Sequence, residues 1–137
     1  MTDALVAFLK ARLDDDEHWA LTVSLESRPE TWEPDHENGA VLTVAGKQVA
    51  TGTRHSINDL EHIARQDPAR TLREVEAARA VIGLYEEAGD RMDRAMSDGD
   101  TITYQEARIE QRTLRKVLLR EAAVHEAHPD YLEEWRP

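Results

Sequence analysis

Residues 67–128 read DPARTLREVEAARAVIGLYEEAGDRMDRAMSDGDTITYQEARIEQRTLRKVLLREAAVHEAH, and the periodicity of this stretch decides the fold. Asp67-Pro68 is a helix start. An aspartate there accepts the free amides of a first turn, and proline loses no hydrogen bond at the first helical position. Val75, Ala78, Ile82, Tyr85, Gly89, Met92 and Met96 then recur in alternating steps of three and four, which places them on one helix face. Ser97-Asp98-Gly99-Asp100 interrupts the pattern. Thr103 and Glu106 form a T-x-x-E capping pair that opens a second helix, with a stripe of Tyr104, Ala107, Gln111, Leu114, Leu118 and His125. Folded about the polar turn, the stripes match in order: Met96 with Tyr104, Met92 with Ala107, Gly89 with Gln111, Tyr85 with Leu114, Ile82 with Leu118 and Val75 with His125. A short turn forces antiparallel neighbours. Charge agrees: Glu74–Asp100 carries eight acids and three bases, Tyr104–Arg120 two acids and five bases.

Upstream, Thr2 or Asp3 caps a helix in which Leu5, Phe8, Leu9 and Leu13 recur at helical spacing, continuing through Ala20 and Val23. It is expected to end near Glu26 to Arg28, because Pro29 disfavours a helical residue before it. Residues 27–39 are rich in turn formers and read as a loop with a short extended piece at Trp32. A Val- and Thr-rich stretch follows, split by Ala45-Gly46. A two-residue turn there pairs Val44 with Lys47, Leu42 with Val49 and Ala40 with Thr51, setting Leu42, Val44 and Val49 on one buried face of a hairpin. Ser56 or Asn58 caps a short helix carrying Ile57, Leu60, Ile63 and Ala64. At the other end HPDYLEEWRP leaves the helix at Pro129, and Tyr131, Leu132 and Trp135 are placed where they could dock back on the core. The expected fold is mostly α with a small β-hairpin (α+β) in one domain, residues 1–137: helix, hairpin and short helix over 1–66, helical hairpin over 67–128, tail over 129–137.

The chain has 137 residues, 40% of them hydrophobic and 33% charged, with a net charge of −11. That balance argues against a broad phosphate-binding surface and so against a nucleic-acid partner. The absence of cysteine excludes disulfides, thiolate zinc sites and cysteine nucleophiles. No apolar run approaches the roughly 20 residues of a membrane span, and MTDALVAFLKARLDDDEHW lacks the basic start and apolar core of a secretory signal. A cytoplasmic protein is expected.

The segments LVAFLKARLDDDE, VAGKQVA, HIARQDPARTLREVEA and HPDYLEEWRP together resemble an actinobacterial and actinophage domain-of-unknown-function family, number 6221. The resemblance covers about two-thirds of the chain and implies no activity. Members of that family usually carry a cysteine-rich insert with a C-x-x-C element, similar to a small zinc knuckle. The corresponding stretch here, residues 84–112, has no cysteine and a helical pattern instead, so the helical hairpin takes over the structural role by hydrophobic burial.

Three constellations are candidates for function. Glu121, His125 and His128, at spacings of four and three on one helix face, form a zinc-type ligand set; zinc is the only cofactor the residues suggest, and histidine near a helix C-terminus is favoured by the dipole without any metal. His62, Arg65 and Arg70 beside Asp67 suit an anion or a partner carboxylate, or a capped joint between two helices. Met92, Met96 and Tyr104 at the turn end of the hairpin, with Trp32 and Trp135, are candidates for an interface. The expected role is a non-catalytic interaction or scaffold protein that self-associates through the helical hairpin. The alternatives are a metal-dependent enzyme using the Glu/His/His face, and an acidic phage-type inhibitor of a host protein.

Overall fold

Ser97-Asp98-Gly99-Asp100 turns the chain between its two longest helices, as the sequence leads one to expect. The computed structural model describes residues 3–23, 30–51 and 57–137. In chain order the elements are α1 (Ala4–Val23), β1 (Trp32–Asp35), β2 (Ala40–Thr43), β3 (Gln48–Thr51), α2 (Ile57–Arg65), α3 (Pro68–Asp98), α4 (Thr101–Ala123) and a 3-10 turn at Glu133–Trp135. The proposed caps Thr2 and Ser56, and the expected end of the first helix at Glu26–Arg28, lie outside the described residues.

The α3–α4 connection is tighter than the expected four-residue break. Gly99 takes φ 69°, a left-handed conformation that costs glycine nothing. Its N–H donates to the Met96 carbonyl at 3.3 Å, and the Asp100 N–H donates to Ala95 at 2.9 Å. This paired closure satisfies carbonyls that a helix end leaves free. Asp100 also starts α4: its Oδ1 accepts the Thr103 amide at 3.0 Å and its Oδ2 the Thr103 hydroxyl at 2.6 Å. The cap is therefore Asp100, and the Thr103–Glu106 capping pair is corrected: both residues lie inside α4.

The chain divides into two compact units. The first comprises α1 through Leu13, α3 from Ala77, α4 and the C-terminal segment. Its buried core includes Leu5, Phe8, Leu9, Ile82, Tyr85, Ala88, Ala95, Ala107, Leu118, Ala122 and Trp135. The helical hairpin keeps the expected register around Gly89 and Tyr85, whereas His125, expected opposite Val75, lies beyond the end of α4. A Cβ on Gly89 would lie 2.7 Å from Gln111 Nε2, so glycine lets that side chain lie against the backbone, while Arg91 pairs with Glu110 and Arg115 reaches Tyr85. Near the turn the seam consists of alanines rather than methionines: Ala88, Ala95 and Ala107 are buried, whereas Met96 is 64% exposed and Met92 and Tyr104 are half-buried. Small residues let the two backbones approach, and that turns the larger side chains outward.

The second unit spans Asp14–Glu76. Its three strands are antiparallel in the order β1-β2-β3. The expected hairpin is β2–β3, and Ala40 does pair with Thr51, but Leu42 pairs with Gln48, with an irregularity between Val41 and Leu42. The reason is the turn. Gly46, at φ 84°, donates to Thr43 at 2.8 Å, and Thr43 donates to Lys47 at 2.8 Å, giving a three-residue loop closed by a left-handed glycine instead of a two-residue one. The face of β2 that is buried is the one that packs on α2, where Val41 meets Leu60 and Ala64. Val41 and Thr43 are buried and Val44 is exposed, so the face expected from Leu42, Val44 and Val49 is corrected. Trp32 starts a third strand, with Pro34 confined to the sheet edge, where its missing donor is tolerated. Val41, Leu60 and Ala64 form the core between sheet and α2, with Trp32, Val49, Ala50 and Ile63 packed around it. Asp67 starts α3 as expected: its Oδ1 accepts the Arg70 amide at 2.7 Å, and its Oδ2 accepts the Trp32 amide at 3.3 Å.

Candidate functional site

The strongest polar cluster is one that the spacing of residues did not announce. Asp3 caps α1 through the Leu5 amide at 3.0 Å. It also accepts the Tyr85 hydroxyl at 2.7 Å and the Arg115 guanidinium at 2.8 Å, and Arg115 is 3.3 Å from the same hydroxyl. Burial pushes the Asp3 carboxyl up, but the bonds from Tyr85, Leu5 and Arg115 outweigh it and hold the group below its ordinary value. Burial and the bond to Asp3 push the Tyr85 phenol up. Each group finds its partners within the cluster, which ties the first turn of α1 to α3 and α4.

A carboxyl held below its ordinary value stabilises the fold above that value, and the stabilisation is lost as pH falls through the lowered one. Asp3→Asn keeps the cap but removes the charge. It is expected to cost about 1–2 kcal/mol at neutral pH, and the difference from the parent protein should shrink as pH drops below 3.8. Urea unfolding followed by circular dichroism at several pH values reads this directly. A difference that does not change with pH would show that the charge contributes nothing.

The zinc-type triad is not assembled. The helix that was expected to carry it ends at Ala123, so His125 and His128 lie in the turns beyond it. Their rings stand edge-on to Phe8 at 6.1 and 5.7 Å. His128 Nδ1 accepts the Asp130 amide at 3.1 Å, and its Nε2 meets Arg12. Both ring nitrogens are thus engaged by protein groups. Among the described residues no group of three or more His, Cys, Asp or Glu side chains could hold a metal ion. His125 and Glu121 instead line a small cavity of about 30 Å³ with Leu9, Leu13, Ile82 and Leu118.

Nor do His62, Arg65 and Arg70 converge on an anion site. Arg70 Nε donates to Glu74 at 2.6 Å, Arg65 lies 3.9 Å from Glu61, and His62 is exposed on α2. The cations are neutralised one helical turn away, and Asp67 serves as a cap.

The tryptophans separate by position. Trp135, an interface candidate from sequence, is 4% exposed and stacks at a tilt on Phe8, 5.1 Å between ring centres; it belongs to the core. Trp32 is half-buried against the sheet–helix core, and its indole N–H is buried without a partner among the described residues.

Among the exposed side chains of the helical hairpin are several large apolar ones. Met96 borders an open cleft of about 350 Å³ at the turn, lined also by Ala95, Gly99, Asp100, Thr101 and Tyr104. Along the outer side of α4, Ile102, Ile109, Val117 and Val124 are all exposed, Ile102 and Val124 by 75% and 78%. Single exposed aliphatics are ordinary; a line of them along one helix is a feature of docking surfaces. Sequence reading set out the inward stripe of α4 and passed over this outward one, although its spacing was equally legible. No described helix is long and apolar enough to cross a membrane.

The family described as "Family of unknown function (DUF6221)" matches residues 2–137. No curated protein and no solved structure matches the chain.

Proposed function

The chain belongs to the DUF6221 family, whose description assigns no activity, and we propose on the strength of its surface that it is a non-catalytic protein that self-associates through the helical hairpin. One observation carries this reading: Met96, Ile102, Ile109, Val117 and Val124 all lie exposed on the α3–α4 hairpin. Covering them would remove apolar surface from water, worth about 25 cal/mol per Å² before the costs of association. A second copy presents the same surface, and closed symmetric dimers are the commonest soluble assembly. The polar clusters favour the same reading, because their charges are spent on helix caps and on i,i+4 pairs within the chain.

Sedimentation velocity from about 1 to about 200 μM, a range suited to an interface of modest size, is expected to show a concentration-dependent dimer or larger species. A single monomeric species across that range would overturn the proposal.

A further inference from the structure

The outward face of α4 has an internal symmetry. Its central positions are Ile102, Glu106, Ile109, Thr113, Val117, Arg120 and Val124. The steps between them are four, three, four, four, three and four, so the spacing reads the same in both directions from Thr113. All seven side chains are exposed, and the buried residues of α4, Ala107, Leu118 and Ala122, lie on its opposite side. Val124, the C-cap, retains helical backbone angles, φ −59° and ψ −27°, so the line continues through it.

The residue types match the spacing. At equal distances from Thr113, Ile109 corresponds to Val117 and Ile102 to Val124, aliphatic to aliphatic. Between them Glu106 corresponds to Arg120, acid to base. Turning a second α4 end for end against the first would therefore set every aliphatic side chain opposite another and each Glu106 beside an Arg120 of the other copy. Two such ion pairs would form by symmetry. Neither residue has a carboxylate–cation pair among the described residues: Arg120 donates only to the Lys116 carbonyl of its own helix, at 3.1 Å.

We infer that two copies of this chain associate through the outer faces of their α4 helices, antiparallel, about a two-fold axis at Thr113. This rests on the proposed self-association and specifies its surface. A parallel pairing would set Glu106 beside Glu106 and Arg120 beside Arg120, so charge selects the antiparallel one. The contact is isologous, as a closed dimer requires. Seven positions per copy are fewer than the 20–30 residues of a standard interface, so the dimer is expected to be weak.

The absence of cysteine allows a direct test by single-cysteine oxidation, at exposed positions where substitution is well tolerated. Thr113→Cys is expected to form a disulfide-linked dimer readily. Ile102→Cys alone is not, because its two copies would be about 33 Å apart, 22 residues at 1.5 Å each. Ile102→Cys mixed with Val124→Cys should cross-link. In sedimentation, Glu106→Arg or Arg120→Glu should each weaken the dimer about tenfold, and the double variant should restore it. If the protein dimerises and Met96→Cys cross-links while Thr113→Cys does not, the α4 face falls and self-association stands. Equal cross-linking of Thr113→Cys and Ile102→Cys would overturn the antiparallel arrangement. A monomer at every concentration would overturn both readings.

Discussion

Leu118→Ala is expected to lower the unfolding free energy by about 3–5 kcal/mol, a large share of the roughly 5–15 kcal/mol that holds an ordinary domain together. Leu118 is 1% exposed, and it already borders the small cavity lined by Leu9, Leu13, Ile82, Glu121 and His125. Truncation would enlarge that space rather than let it collapse, because its walls come from three separate helices and the segment after α4. It would also bring the carboxylate and the imidazole closer to the emptied apolar space. Urea or guanidinium unfolding followed by far-UV circular dichroism measures the change, and Leu118→Met, which nearly conserves volume, should cost less than about 1.5 kcal/mol. A loss below about 1 kcal/mol for the alanine variant would show that the α3–α4 seam is not packed at this position.

Trp135→Ala is expected to be nearly as costly, about 3–5 kcal/mol. Its effect should extend well beyond the C-terminus. Trp135 is held by the 3-10 turn Glu133–Trp135, with its amide donating to Leu132 at 2.9 Å. It closes an aromatic cluster in which Phe8 meets Trp135, Tyr131, His128 and His125 within 5.1–6.1 Å. Removing the indole takes away the nearest ring neighbour of Phe8 and the anchor of the segment after Pro129. Hydrogen exchange should then show faster opening of residues 4–13 of α1 as well as of the C-terminal segment. Protection of α1 unchanged from the parent would mean that the segment is an appendage and not part of the core.

Much of the α-helical framework could be read directly from residues. Asp67-Pro68 starts a helix because its chemistry serves free amides, wherever in a protein it occurs. Gly99 ends one because a left-handed residue suits glycine best. Gly89 opposite Gln111 followed from counting steps of three and four outward from the turn. The caps and turns of the remaining elements were less legible. The Thr103–Glu106 pair pointed to a helix start three residues late, and only backbone geometry picks Asp100. Ala45-Gly46 was read as a two-residue turn, whereas the loop has three residues, and the buried face of β2 is the one that packs on α2.

Function was harder to read because the residue types that attract attention are the ones most often used for structure. Glu121, His125 and His128 have ligand spacing only if the helix continues through them. It stops at Ala123, and Phe8 from a distant part of the chain takes up the two rings. Trp135 has the chemistry of an interface anchor and serves as core for the same reason, a large apolar surface.

The sequence by itself determined the two long helices, their antiparallel pairing and the absence of cysteine, since each depends on local spacing or on composition alone. Only the tertiary structure decided that Asp3, Tyr85 and Arg115 meet, that the C-terminal tryptophan is interior, and that the aliphatic line of α4 stays outside. Those outcomes depend on which surfaces of distant segments cover one another, and burial of that kind is settled by competition over the whole chain, with no local pattern to record the result.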